Sequence, residues 1–186
     1  MGEIPHDTYV APDCVISRHE GVWKVSLVDG PWGRLGIHRG YEAMIQHANP
    51  ADAGYLRGRL QEARWLIRNL QQLSETILRV AQAIVDRQHA FFTHGAVAMR
   101  PLVLREIAET VALHESTISR VTTNKFMLTP FGTFELKYFF GSHIATSSGG
   151  AASSTAIREI LRQLIEAEDP ARPLPDGRLS ELLAEQ

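Results

Sequence analysis

Apolar residues recur at spacings of three and four between residues 53 and 92, at Leu56, Leu60, Ala63, Ile67, Leu70, Leu73, Ile77, Val80 and Ile84. That period belongs to an α-helix with one apolar face. A single rod over those residues would reach about 60 Å, and Ser74 is a competent N-cap. The pattern therefore predicts two antiparallel helices, 53–70 and 74–92, joined near Gln71 or Gln72. One uninterrupted helix is the other arrangement it allows. Gly95 offers a left-handed helix stop, and Pro101 bars simple continuation.

Upstream the period changes. "CVISRHEGVWKVSLVDG" alternates around Trp23, Val25 and Leu27, with Gly21 and Asp29-Gly30 as turn signals. Strands are expected near 14–18, 22–28 and 34–37, in a small antiparallel unit too short to stand alone in water. It must pack on the helices or present a surface to another protein. Residues 1–12, with Gly2, Pro5 and Pro12, read as a loose leader.

The stretch "LREIAETVALHESTISRVTTNK", Leu104 to Lys125, runs helically, breaks for a turn and resumes. It fits a helix-turn-helix. Ala108 is small where the helices would cross, and Ile107 and Val111 face the second helix. Leu113 fills the turn, while Ile118 and Val121 form the inner face of the second helix. The outer face then carries Ser116, Thr117, Ser119, Arg120, Thr123, Asn124 and Lys125, with Glu115 near the helix N-terminus. Short hydroxyl side chains allow close approach to a major groove. Arg120 has the fork that matches guanine, and Lys125 a charge for phosphate. Glu115 suits the helix dipole and can accept from cytosine N4. These are the candidate DNA-binding residues. Ala112 stands where such turns usually have Gly, at a cost of about 1 kcal/mol if its φ is positive.

After the motif, "KFMLTPFGTFELKYFF" predicts a tight turn at 129–132, then an aromatic segment whose Phe134, Tyr138, Phe139 and Phe140 form the core beneath it. "TSSGGAASST" at 146–155 reads as a linker. A helix follows in "STAIREILRQLIEAED", capped by Ser153 or Ser154, and a shorter one in "RLSELLAEQ".

Composition changes this picture little. The chain has 186 residues, 22% of them charged, and a net charge of −2, so bulk electrostatics make no case for nucleic acid. Between 53 and 90, six Arg stand against Glu62, Glu75 and Asp86. That is a solvated face or a mildly basic docking face. One cysteine, Cys14, excludes an intramolecular disulfide and suits a reducing cytoplasm, which is the expected location. Cys14 with His19 makes no supported nucleophile–base pair. His89 and His94 lack a third ligand, and Glu106 with Glu109 reads as a solvated pair. No Gly-rich phosphate loop is present. The sequence thus points away from an enzyme and away from any metal or cofactor. No apolar run approaches the roughly 20 residues of a membrane span, so no membrane partner is expected.

Four longer stretches, "ARWLIRNL", "HESTISRVTTNK", "FELKYFF" and "ASSTAIR", resemble the bacterial sigma-54 factor, the nitrogen-type alternative sigma subunit of RNA polymerase. The resemblance runs from about residue 13 to the end, in the family's order. It implies that residues 13–94 form a core-RNA-polymerase-binding region and residues 95–145 a helix-turn-helix region for promoter DNA. After the 146–155 linker, 156–186 would be part of a C-terminal helical domain that reads DNA a second time. Residues 103–122 match the family's helix-turn-helix, and Arg120 falls on the arginine of "STISRVTT", associated there with promoter recognition. An ATPase activator acts on the intact factor in this family.

The family's glutamine-rich N-terminal region has no counterpart in these residues. "LLAEQ" falls where the family continues through a glycine turn into the signature "ARRTVAKYR", so a fragment is expected. Phe131 stands where many relatives carry Arg, and Ala151 where they carry Glu, so a backbone contact of the family is not carried over there. The expected architecture is mainly α: a small antiparallel β unit on a helical bundle, then the helix-turn-helix, then a partial C-terminal helical domain. A competing reading makes this a polymerase-interaction or scaffold module whose 103–125 helices dock protein. It is favoured by the near-neutral local charge, since 114–141 sets Arg120, Lys125 and Lys137 against Glu115 and Glu135, a net of only +1.

Overall fold

The computed structural model of the chain describes residues 10–28, 35–141, 143–145, 151–168 and 174–184. Two strands open it, β1 (Cys14–His19) and β2 (Val22–Leu27), paired antiparallel with Cys14 opposite Leu27. Their two-residue turn has positive φ at both Glu20 and Gly21, the backbone that suits the twist of a tight hairpin. A short helix α1 (Arg39–Gln46) follows, then α2 (Pro50–Arg87). Residues 35–37, expected as a third strand, are not strand, and residue 34 lies outside the described residues.

The 38 residues of α2 form one helix, roughly 57 Å long. The expected joint at Gln71-Gln72 does not exist. No Gly or Pro stands between Leu70 and Ile77, Gln and Leu are good helix formers, and Ser74 costs only tenths of a kcal/mol there. Continuing a helix is cheaper than nucleating a new one. Thr76 donates its hydroxyl to the Gln72 carbonyl at 2.8 Å, a bond made within a continuous helix. The apolar stripe is used differently along its length. Ile77, Val80, Ala81, Ile84 and Val85 are buried in the core, while Leu56, Leu66 and Leu73 remain exposed. α1 lies against the first half, with Glu42 paired to Arg64 at 2.7 Å.

A helical turn α3 (Phe91–His94) ends at Gly95, whose φ of +80° favours glycine but whose ψ of −163° is extended, so it stops the helix without the left-handed αL cap expected. Two short helices, α4 (Leu104–Val111) and α5 (Glu115–Thr122), precede a hairpin of β3 (Phe126–Thr129) and β4 (Gly132–Glu135). This hairpin joins the first one. The sheet runs β2-β1-β3-β4, with β1 and β3 parallel. The tight turn expected at 129–132 is thus the bend of this hairpin, and Thr129 closes it by donating its hydroxyl to the Gly132 carbonyl at 2.8 Å.

The core is aromatic at its centre. Phe91 meets Phe92 and Phe139 edge-on at 5.2 Å each, and Phe134 at 5.5 Å. Such T-shaped contacts set a ring edge against a neighbouring face. Phe139 is fully buried, Phe134 and Phe140 are half-buried, and Tyr138 sits at the margin with 38% exposed. Gln88 is buried among them without being orphaned. Its amide nitrogen donates to the Arg100 carbonyl at 2.8 Å, and its oxygen accepts from the Arg100 N–H at 2.9 Å. Gln82 does similar work at the sheet edge. It accepts from the Val25 N–H at 2.9 Å and donates to the Trp23 carbonyl at 3.1 Å, as a neighbouring strand would.

Beyond the hairpin, β5 (His143–Ala145) pairs with β6 (Ala151–Ser153), which leads into α6 (Ser154–Glu166). Ser153 caps α6 by accepting from the Thr155 N–H at 3.2 Å. Residues 151–155, expected as linker, are therefore strand, cap and the first residues of α6; 146–150 lie outside the described residues. α6 packs on the 3₁₀ turn at Ala96–Ala98, and α7 (Asp176–Ala184) on α6. No described helix is long and apolar enough to cross a membrane.

Candidate nucleic-acid interface

The turn between α4 and α5 is only three residues long, Ala112, Leu113 and His114. Ala112 takes the left-handed conformation, φ +55° and ψ +49°. Its N–H reaches the Glu109 carbonyl at 3.4 Å, and the Leu113 N–H reaches the Ala108 carbonyl at 2.9 Å. That is a Schellman motif, which satisfies the last carbonyls of α4 and turns the chain sharply. The strain anticipated for an alanine there is thus present. At the other end of α4, Glu106 accepts from the Val103 N–H at 3.4 Å, half of a capping box.

Packing holds the two helices as the apolar pattern requires. Ile107, Ala108, Val111, Ile118 and Val121 are buried, and Leu113 is half-buried in the turn. The pair is fixed to the inner half of α2 by Arg79, which donates to the Val111 carbonyl at 2.6 Å, and by Arg87, 3.5 Å from Glu106. A cation at the C-terminus of α4 also meets the favourable end of its dipole. Four of the six arginines on α2 therefore have partners within the chain: Arg59 with Glu62, Arg64 with Glu42, and these two.

The candidate residues divide into three groups. Glu115, Ser116 and Arg120 are exposed on α5, and Arg120 is engaged by no described residue. Thr117 and Ser119 are half-buried on the same helix. The last three lie at and beyond its end. Thr123 donates its hydroxyl to the Ser119 carbonyl at 2.7 Å. Asn124 has φ +53° and gives its N–H to Glu135 at 2.7 Å. Lys125 is paired with Asp13 at 3.1 Å. Its charge is therefore shared inside the molecule instead of standing free for phosphate.

Three residues outside the candidate set hold this surface in place. His114 is the N-cap of α5: its Nδ1 accepts from the Ser116 N–H at 3.3 Å and lies 2.8 Å from the Ser116 hydroxyl. Asp13 and Glu135 fix the chain where it leaves α5. A helix-capping signal at His114 is weak in sequence, because Ser, Thr, Asp and Asn are the usual caps. The Asp13 contact has no sequence signal at all. Cys14, beside it, is fully buried, and burial followed by the Asp13 charge pushes its thiol up to about 12. It is an inert core residue. No cluster of three or more metal-ligating side chains occurs among the described residues.

Comparison with known proteins agrees with this geometry. Residues 53–186 match the family model described as "Sigma-54, DNA binding domain". The chain belongs to the sigma-54 family. It is 52% identical over 183 residues to the RNA polymerase sigma-54 factor of Xanthomonas euvesicatoria, covering 98% of this chain and 38% of that protein. It is 50% identical over 179 residues to the sigma-54 factor of Escherichia coli K12, covering 96% of this chain and 38% of that one. The chain thus spans little more than a third of the sigma-54 factors it matches. Its fold is that of the crystal structure of Aquifex aeolicus sigmaN bound to promoter DNA, with a TM-score of 0.63 at 24% identity, over 96% of this chain and 53% of that one.

Proposed function

We propose that this chain is the part of a sigma-54 transcription factor that lays α5 in the major groove of promoter DNA while residues 13–94 hold core RNA polymerase. The observation that carries the reading is the exposed Arg120, engaged by no described residue, in the last turn of a helix whose opposite face, Ile118, Val121 and Thr122, is buried. A helix so presented enters a major groove, and an arginine there suits guanine O6 and N7. The family match supports the same direction. The chemistry is recognition and positioning; in the intact factor an ATPase activator would act on the assembled complex.

Binding by this chain alone should be weak and salt-sensitive, near the non-specific range of about 10⁻⁴–10⁻⁶ M. Fluorescence anisotropy with labelled duplexes tests it. Arg120→Ala should cost about 1–3 kcal/mol at one base position and leave other positions unchanged. No loss on any sequence would favour protein docking by α4 and α5. For the polymerase half, the full chain should be retained by immobilised core enzyme. Failure of that capture would remove the polymerase assignment while leaving the DNA one intact.

A further inference from the structure

The hydrogen bonds at the start of α5 fix which way Ser116 can bond. The Ser116 N–H reaches His114 Nδ1 at 3.3 Å. A backbone N–H only donates, so Nδ1 carries a lone pair and the neutral ring holds its proton on Nε2. The Ser116 Oγ lies 2.8 Å from that same nitrogen. A nitrogen without a proton cannot donate, so the hydroxyl does. Its single proton is directed at the exposed ring of His114, and the lone pairs of Oγ are left for whatever approaches from the other side.

We infer that His114 sets Ser116 as a hydrogen-bond acceptor, so that α5 reads an exocyclic amino group, adenine N6 or cytosine N4, at one base pair. The inference rests on the DNA-binding reading above. Phosphate oxygens, guanine O6 and N7, and thymine O4 are themselves acceptors and are poor partners for an acceptor. The amines are the donors that the major groove offers. The residue lies in the first turn of α5, the part of a recognition helix that meets base edges. Arg120 lies one helical turn further on, about 6 Å along the axis, and is donor-only. The helix therefore presents an acceptor followed by a donor, which matches an amine-bearing base and a guanine within roughly two base steps. His114 is here a positioning residue: it touches no base but decides the polarity of the one that does.

The test begins by selecting the preferred duplex from a random pool with the full chain. Each adenine is then replaced by purine, which lacks the N6 amine, and each cytosine by 2-pyrimidinone, which lacks N4. At one position the loss of the amine should weaken binding roughly fivefold, the worth of one hydrogen bond. Ser116→Ala should bind as weakly as that and be indifferent to the replacement. His114→Gly keeps a tolerated cap residue but frees the hydroxyl, so discrimination between amine- and carbonyl-bearing bases at that position should fall toward unity. An amine effect that survives in Ser116→Ala at every position would overturn the inference, as would full discrimination in His114→Gly. Salt-dependent duplex binding without a Ser116-dependent position sinks this inference alone. A chain that binds no duplex sinks the DNA reading as well.

Discussion

Asp13 and Lys125, 112 residues apart in sequence, form one joint: a carboxylate oxygen of Asp13 lies 3.1 Å from Lys125 Nζ, and the other accepts from the Phe126 N–H at 2.9 Å. The Asp13 N–H in turn donates to the Phe126 carbonyl at 2.8 Å. The first strand is thereby anchored to the chain as it leaves α5, and β1 lies parallel to β3. Removing the carboxylate should loosen that anchor and release Lys125 together. Asp13→Ala should lose about 1–2 kcal/mol in urea unfolding, since a hydrogen bond to a charged group is worth somewhat more than a neutral one. The same variant should bind duplex DNA with a steeper salt dependence, by about one unit of slope, as one more cation becomes free for phosphate. A steeper slope without lost stability would separate the two roles.

Gln88 offers a sharper test of the core. Its amide joins the Arg100 backbone in both directions and approaches the Phe139 carbonyl at 3.4 Å, while the residue itself has no exposed surface. Gln88→Leu keeps much of the volume but leaves those backbone groups without partners. The expected loss is about 3 kcal/mol, from desolvated groups left unsatisfied. Chemical denaturation at constant m-value measures it.

The Ala112 turn should respond in the opposite direction. A residue with φ +55° pays for its Cβ, and Ala112 is exposed, so no packing is lost with it. Ala112→Gly should raise stability by about 0.5–1 kcal/mol. A thermal melt that moves downward would mean that the strain is relieved elsewhere in the turn.

Along α2, hydrogen exchange should divide the helix. Tyr55, Trp65 and Leu66 are 65%, 65% and 53% exposed, whereas Val80, Ala81 and Ile84 are fully buried. Amides in 55–70 should exchange through local opening, and those in 77–87 only near global unfolding. Uniform protection over both halves would show that α2 unfolds as one unit.

What the sequence determined is what short-range period and chain chemistry can carry. The helix-turn-helix was legible because Ile107, Val111, Ile118 and Val121 alternate at helical spacing about a three-residue break, and each is buried as that spacing demands. The stop at Gly95 and the cap at Ser153 were legible for the same local reason. On the outer face of α5, Glu115, Ser116 and Arg120 followed from what the inner face left over, whereas Thr123, Asn124 and Lys125 lie at and beyond the end of the helix. The continuity of α2 was misread, because Ser74 serves as a cap or as an interior residue; with no Gly or Pro between Leu70 and Ile77, the cost of nucleating a second helix decides for one. The sheet was decided by tertiary structure alone. Its first and third strands meet across more than a hundred residues, and no periodicity records a pairing between distant segments. The same holds for Lys125, whose charge reads as free in sequence and is bound to Asp13 in the fold. It holds again for Ser116, whose hydroxyl oxygen the fold sets 2.8 Å from a ring nitrogen of His114. Propensity and period act within a few residues, whereas a hydrogen bond's partner is chosen by whatever the folded chain brings within 3 Å.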